Sequence, residues 1–256
     1  MVNQLSLFTG VFWYEFRMQI RRRAVWITYT CFTVLLLGSF FELAFNIRQF
    51  AWSDAVVNWT GNINAILPIC VGVLLADRLP RDSQTKMNEL FATFPGALSI
   101  RLLGKYLGST LATIVPMLIF YASGIACIAF QNHNLLAIPF GLETFAVIAL
   151  PGILFVAAFS LAVPTIMWIP LYQFLFVGYW FWGNLLPPRL GVPTLSATIL
   201  TPIGGYMISG LYHIDAFPVT NATPMQGIAS IALLSGTAAG VLWLLWRYMK
   251  WEQARP

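Results

Sequence analysis

Six stretches of this chain are apolar enough to lie in a lipid bilayer, and they constrain the fold more than any other feature of the sequence. They cover about residues 24–45, 61–76, 102–130, 135–163, 165–182 and 227–248. About 20 helical residues cross a hydrocarbon core of about 30 Å, so only the second stretch is short for this task. Because the runs are continuous and do not alternate with polar residues, they predict membrane-spanning helices and not a β-barrel.

The composition agrees with this class. Hydrophobic residues make up 59% of the chain and charged residues only 9%, against about 25% charged residues in soluble domains. The net charge of +5 does not indicate nucleic-acid binding, because the basic residues do not form one face interleaved with aromatic side chains. The sequence therefore predicts an all-α integral membrane protein with a single domain, residues 1–256.

The basic residues predict the orientation of the six spans. With the N-terminus inside, all but Arg48 and Arg189 of the 14 basic residues fall on cytoplasmic segments. Cytoplasmic flanks carry the excess of Lys and Arg in membrane proteins. We therefore expect a multi-pass protein of the cell's inner (plasma) membrane, with residues 24–248 as the six-span region. Both termini, including the tail at 249–256, are expected in the cytoplasm.

Residues 1–23 form a predicted amphipathic helix before the first span. Its apolar side chains recur every four residues, at Phe8, Phe12, Phe16 and Ile20. Glu15, Arg17 and Gln19 face elsewhere, which is typical of a helix lying in the plane of the inner leaflet. The alternative is a simple extension of the first span, but the basic run at 21–23 makes a straight continuous helix costly.

The inner segment between the second and third spans contains a second short amphipathic helix, at about residues 82–94. Its apolar side chains follow at helical spacing, at Met87, Leu90, Phe91 and Phe94. Lys86 and Glu89 lie on the opposite face. The segment is either a plain loop covering the membrane surface or an element that docks on a cytoplasmic partner.

A family resemblance rests on the order of polar residues through this segment. The residues are Asp77, Arg78 and Asp82, then Glu89 and Leu90, then Thr93 and Pro95, then Gly104 and Lys105. With the basic N-terminal helix, this order resembles the membrane-spanning permease subunits of ATP-binding-cassette (ABC) transporters of the type-2 exporter class. The resemblance is best over about residues 10–110.

The resemblance implies a coupling helix that seats in a groove of a separate ABC ATPase subunit, which alone would hold ATP and Mg. The ATPase-coupling residues would be Asp82, Lys86, Met87, Glu89, Leu90, Phe91 and Phe94. The N-terminal connecting helix would act through Phe12, Glu15, Phe16 and Arg17. It also implies a second permease, of the same or another chain, with the substrate path between the two.

Catalytic, cofactor and metal residues are not expected in this chain. Gly104-Lys105 is followed by Tyr106 and does not follow a strand, so it is no phosphate-binding loop. The three cysteines have no metal-ligand spacing. The chain is therefore expected not to be an enzyme. ATP hydrolysis would come from another polypeptide.

Two further segments carry open alternatives. Glu143 is a candidate intramembrane acid, or it sits at the outer interface. The Pro- and Gly-rich stretch at 194–212 forms re-entrant structure on the outer side, or an exposed loop. Besides an exporter of hydrophobic or amphipathic cargo, the sequence fits an ion-coupled secondary transporter or a non-transporting membrane anchor. Only Glu143 approaches the mid-membrane ionisable residues that an ion-coupled transporter needs.

Overall fold

The computed structural model describes residues 4–45, 51–84, 97–186, 191, 193–215, 219 and 221–253. The regular elements in these residues are helices, as the apolar runs predict. In chain order they are α1 (Gln4–Ile20), α2 (Arg23–Phe45), α3 (Trp52–Ile66), α4 (Pro68–Leu75), α5 (Arg78–Gln84), α6 (Leu98–Gln131), α7 (Ala137–Thr144), α8 (Leu150–Ala162), α9 (Ile169–Trp180), α10 (Gly205–Tyr212) and α11 (Pro224–Gln253). Two π-helical turns, Phe145–Ala149 and Phe181–Leu185, join α7 to α8 and follow α9.

Four helical runs among the described residues are long and apolar enough to cross a membrane. They are Trp52–Arg81, Leu98–Gln131, Ala137–Thr165 and Pro224–Gln253, of 30, 34, 29 and 30 residues. At 1.5 Å per residue, each exceeds the roughly 30 Å of hydrocarbon. The chain is therefore a helical protein with four helices suited to a bilayer.

The run that begins at Trp52 differs from its predicted extent. The sequence places its start near residue 61, with the polar Asn62 and Asn64 at its outer end. In the structure the helix starts nine residues earlier, at Trp52, and its added turns bury Val56 and Val57. Pro68 then begins α4, since its missing N–H is one that the first helical turn leaves unpaired.

The core is built around α8, which packs against α4 on one side and α11 on another. Its buried side chains, including Ile153 and Leu161, belong to the main apolar cluster of the protein. The helix α1 lies apart from this centre and packs along α6. These contacts place α1 at the end of the bundle where α4 finishes and α6 begins.

The segment before α11 folds back onto the other end of the bundle. Thr201, Ile203 and Met207 are buried, and Gly204 adopts a left-handed φ of 89° that ends the preceding turn. A side chain there would meet Ile148. The amide Nδ2 of Asn64 on α3 donates to the carbonyl oxygens of Ile148, Pro202 and Ile203, at 3.3, 3.0 and 2.7 Å.

Candidate functional site

Two glycines allow α1 to approach α6 closely. A Cβ atom on Gly108 would lie 2.5 Å from the carbonyl oxygen of Phe12, and one on Gly104 would lie 3.1 Å from the side chain of Val11. Gly104 and Gly108 are one turn apart, so they present one smooth face to α1. Small residues at this spacing let helices pack closely where lipid removes most of the hydrophobic driving force. The sequence reasoning used Gly104 only as a motif position and missed this G-x-x-x-G spacing.

The close approach buries an acid between two bases. The Nζ atom of Lys105 donates to Oε1 of Glu15 at 2.8 Å, and Nη1 of Arg78 lies 3.8 Å from Oε2. The residues Glu15, Arg78 and Lys105 are 5%, 2% and 6% exposed. Groups of this kind are almost never fully buried unless they are paired. One carboxylate on α1 therefore joins the first residue of α5 to the second turn of α6.

A second ion pair lies beside the first. The guanidinium of Arg22, in the turn between α1 and α2, donates two hydrogen bonds to the carboxylate of Asp77, at 2.9 and 2.6 Å. Both side chains are partly exposed. The hydrogen bond to Asp77 raises the pKa of Arg22 above its usual value, with an opposing contribution from burial. We call Glu15, Arg22, Asp77, Arg78 and Lys105 together the inner ionic cluster.

The inner ionic cluster holds three cations and two carboxylates, so its formal charge is +1. Nε and Nη2 of Arg78 have no hydrogen-bond partner among the described residues, and neither does Oε2 of Glu15. The arrangement offers no nucleophile beside a base. The described residues contain no group of three or more side chains that could hold a metal ion. The ion pairs of the cluster hold α1 against α5 and α6.

The helix α1 turns a polar face toward α6. Its buried residues are Glu15 and Gln19, and Nε2 of Gln19 donates to the hydroxyl of Thr113 at 2.9 Å. Phe12 and Phe16 are half-buried and Arg17 is exposed. The amphipathic pattern predicts a helix on the membrane surface. The structure adds that the carboxylate and amide on this helix face protein and not the lipid headgroups.

The structure brings together the two ends of the predicted inner motif. Asp77 and Arg78 before the loop, and Gly104 and Lys105 after it, all contact α1 or the turn that follows it. Asp82 lies in α5, and its side chain is outside the described part. Other predicted residues lie outside the described residues altogether: Lys86, Met87, Glu89, Leu90, Phe91, Thr93, Phe94 and Pro95.

Glu143 lies away from this cluster. It is exposed near the start of the helix pair α7 and α8, and its Oε1 accepts a hydrogen bond from the hydroxyl of Tyr212 at 3.4 Å. The interior polar groups nearest in sequence are uncharged: Thr144 bonds with Thr60 and Tyr121. Glu143 therefore lies on the surface of the described bundle and not among its buried polar groups.

Comparisons with known proteins add no relative to this description. No protein-family model, no curated protein and no solved structure matches the chain. The residues and their geometry are therefore the basis for any functional assignment. Among them, the inner ionic cluster is the strongest candidate, because burying a charged group costs several kcal/mol unless it is compensated.

Proposed function

We propose that this chain is a permease subunit of an ABC transporter of the type-2 exporter class. It would form the substrate pathway with a second permease and couple to a separate ATPase subunit. The observation that carries the proposal is the position of Glu15, whose carboxylate contacts Arg78 before the inner loop and Lys105 after it. A loop held at both ends by one buried residue is well suited to transmit a push from a cytoplasmic partner.

The proposed coupling follows from which parts move together. Binding of the loop helix at residues 82–94 in an ATPase groove would displace the loop during the ATP cycle. The helix α1 contacts α6, and the turn after α1 contacts Asp77, just before α5. Because α5 and α6 flank the loop, the displacement would move these elements as one unit. The buried pairs resist separation, since removing either partner leaves an uncompensated charge.

The proposal completes the membrane topology with six spans. The 23 residues of α2 and the continuous α9 with its π-helical turn would add two spans to the four long apolar runs. The distribution of basic residues supports a position of both termini on the cytoplasmic side of a cell's inner (plasma) membrane. The buried segment around Thr201 and α10 would be re-entrant and would cap the outer side. A hydrophobic or amphipathic cargo suits the nearly uncharged spans.

The location of the buried charge favours this function over an ion-coupled secondary transporter. Such transporters place ionisable residues near the bilayer midplane. In the described residues, the buried acid and bases lie instead at the end of the bundle that the basic residues assign to the cytoplasm. A non-transporting anchor would not need buried ion pairs that connect the two ends of an inner loop.

Export by vesicles tests the assignment. Vesicles would contain the full-length permease with the ATPase that co-purifies with it, as wild type or with Glu89→Lys, which reverses a charge on the proposed coupling helix. Glu252→Lys makes the same charge change on the exposed end of α11 and serves as the control. We expect Glu89→Lys to lose ATP-dependent export or ATPase binding, because a reversed charge at a desolvated contact costs about 2–5 kcal/mol, while Glu252→Lys keeps both.

Two outcomes would count against the proposal. Full export and normal ATPase binding by the Glu89→Lys protein would remove that residue from the coupling surface. Transport driven by an ion gradient with no ATPase present would reject the exporter assignment in favour of the secondary transporter.

The topology has its own test. Single cysteines at Ser53 and Ser83, in a protein lacking its three native cysteines, should react with a membrane-impermeant thiol reagent from opposite sides. Ser53→Cys should be labelled in intact cells, and Ser83→Cys only after permeabilisation. Labelling of both from the same side would overturn the six-span topology.

A further inference from the structure

An apolar groove of about 460 Å³ runs between α6 and α11. This volume falls within the roughly 300–1,000 Å³ of typical ligand pockets. Its walls are Leu102 and Leu103 from α6, and Ala239, Leu242, Trp243 and Trp246 from α11. The lining residues come from the first two turns of α6 and from the second half of α11, so the groove lies near the start of α6.

Two cations lie over tryptophan rings that line the groove. Arg247 lies over the ring of Trp243 with its guanidinium carbon 5.9 Å from the ring centroid, and Nζ of Lys250 lies 5.6 Å from that of Trp246. Both cations are exposed and neither belongs to an ion pair that the described part of the chain contains. The hydroxyl-bearing Ser99, in the first turn of α6, lines the same end of the groove.

An apolar surface and a positively charged surface therefore lie next to each other. The walls are apolar, and Trp243 is 57% exposed on the outside of the bundle, where lipid would contact it. Basic residues near helix ends and tryptophan rings both mark the interface between hydrocarbon and headgroups. Two unpaired cations above an apolar groove complement a molecule with a negative head and a hydrocarbon tail.

We propose that this groove is a binding site for an anionic phospholipid of the cytoplasmic leaflet. One acyl chain lies in the groove against Leu103 and Leu242, and the phosphate group contacts Arg247 and Lys250, with Ser99 lining the same end of the groove. Basic pockets between helices on the cytoplasmic side recognise anionic headgroups in this way. The site is separate from the inner ionic cluster and does not depend on the transport function.

Quenching of tryptophan fluorescence tests the site in the purified full-length protein. The protein is reconstituted in mixed micelles with phosphatidylglycerol or phosphatidylcholine whose acyl chains carry bromine. The signal of Trp243 and Trp246 is the difference between wild type and the variant with both changed to Phe. Each cation near the surface contributes about five-fold in affinity. We therefore expect half-maximal quenching at a much lower mole fraction of phosphatidylglycerol than of phosphatidylcholine.

Three variants distinguish binding of the lipid headgroup from binding of the acyl chain. Arg247→Gln with Lys250→Gln should lose the preference for phosphatidylglycerol, while Arg17→Gln with Arg21→Gln removes the same charge from α1 and the turn after it and should keep the preference. Ala239→Phe fills the groove without changing charge, so quenching at low lipid fraction should be lost. Equal quenching of the wild type by both lipids would overturn the proposal without touching the exporter assignment. So would a preference that survives loss of Arg247 and Lys250.

Discussion

Replacing Glu15 by glutamine tests the inner ionic cluster most directly, because its carboxylate faces two buried cations. At an effective dielectric constant of about 20, two unit charges attract by about 6 kcal/mol at the 2.8 Å of the Lys105 contact, and by about 4 kcal/mol at the 3.8 Å of the Arg78 contact. Desolvation cancels most of this attraction in the intact cluster. When the acid alone is removed, the two cations stay buried, so their desolvation cost remains while the attraction is lost.

The two single variants should therefore differ in a defined order. Glu15→Gln removes the carboxylate that contacts both Lys105 and Arg78, and breaking a buried pair in this way costs about 3–5 kcal/mol. Lys105→Met leaves Glu15 with Arg78 and removes one of two like charges, so it should cost less. The double variant should cost less than the sum of the two, because Lys105 and Glu15 interact directly.

The measurement is the free energy of unfolding of the purified protein in detergent, from denaturant titration followed by tryptophan fluorescence. Arg17→Gln provides the matched control on the exposed face of the same helix, where a change within about 0.5 kcal/mol is expected. A larger loss of stability in Lys105→Met than in Glu15→Gln would refute the reasoning. Strict additivity of the two changes would refute it as well.

Three further substitutions, one of them with a matched control, test the packing and the second ion pair. Gly108→Ala places a Cβ against a carbonyl of α1 and should cost about 1–3 kcal/mol, whereas Gly240→Ala, which meets nothing within 4 Å, should be neutral or stabilising in the same thermal unfolding assay. Asn64→Leu removes one amide donor from three carbonyl oxygens and should cost about 1–3 kcal/mol; protease added to spheroplasts should then cut near Gly204 faster than in the wild type. Asp77→Asn breaks a partly exposed pair and should cost only about 1 kcal/mol or less in denaturant titration. Equal losses in the two glycine variants, unchanged proteolysis, or a loss of several kcal/mol for Asp77→Asn would contradict these expectations.

The positions of the helices could be predicted because the signals are local. The first apolar run was expected at 24–45, and α2 spans Arg23–Phe45. Length and hydropathy decide such a segment without reference to its neighbours. The early start of α3 at Trp52 could not be read this way, because burial of Val56 and Val57 depends on helices that come later in the chain. The same holds for the π-helical turn Phe145–Ala149, whose Ile148 carbonyl is held by Asn64.

The candidate site was predictable only in its parts. The order of polar residues selects Asp77, Arg78 and Lys105, and periodicity places Glu15 on an amphipathic helix. Neither signal says that Glu15 and Lys105 meet, because pairing across distant helices depends on tertiary packing. The spacing of Gly104 and Gly108 is the sequence signal that would have indicated where α1 docks.

The long sequence separation between α1 and its partners sets an order of assembly. The side chains that satisfy Glu15 and Gln19 lie 90 and 94 residues further along the chain. At a synthesis rate of about 5–20 residues per second, α1 is made several seconds before α6 emerges. During that interval the polar face of α1 has only water and headgroups as partners. The first helix to be synthesised therefore cannot reach its final place until α6 has been made, and its docking reports that the third predicted span has been inserted correctly.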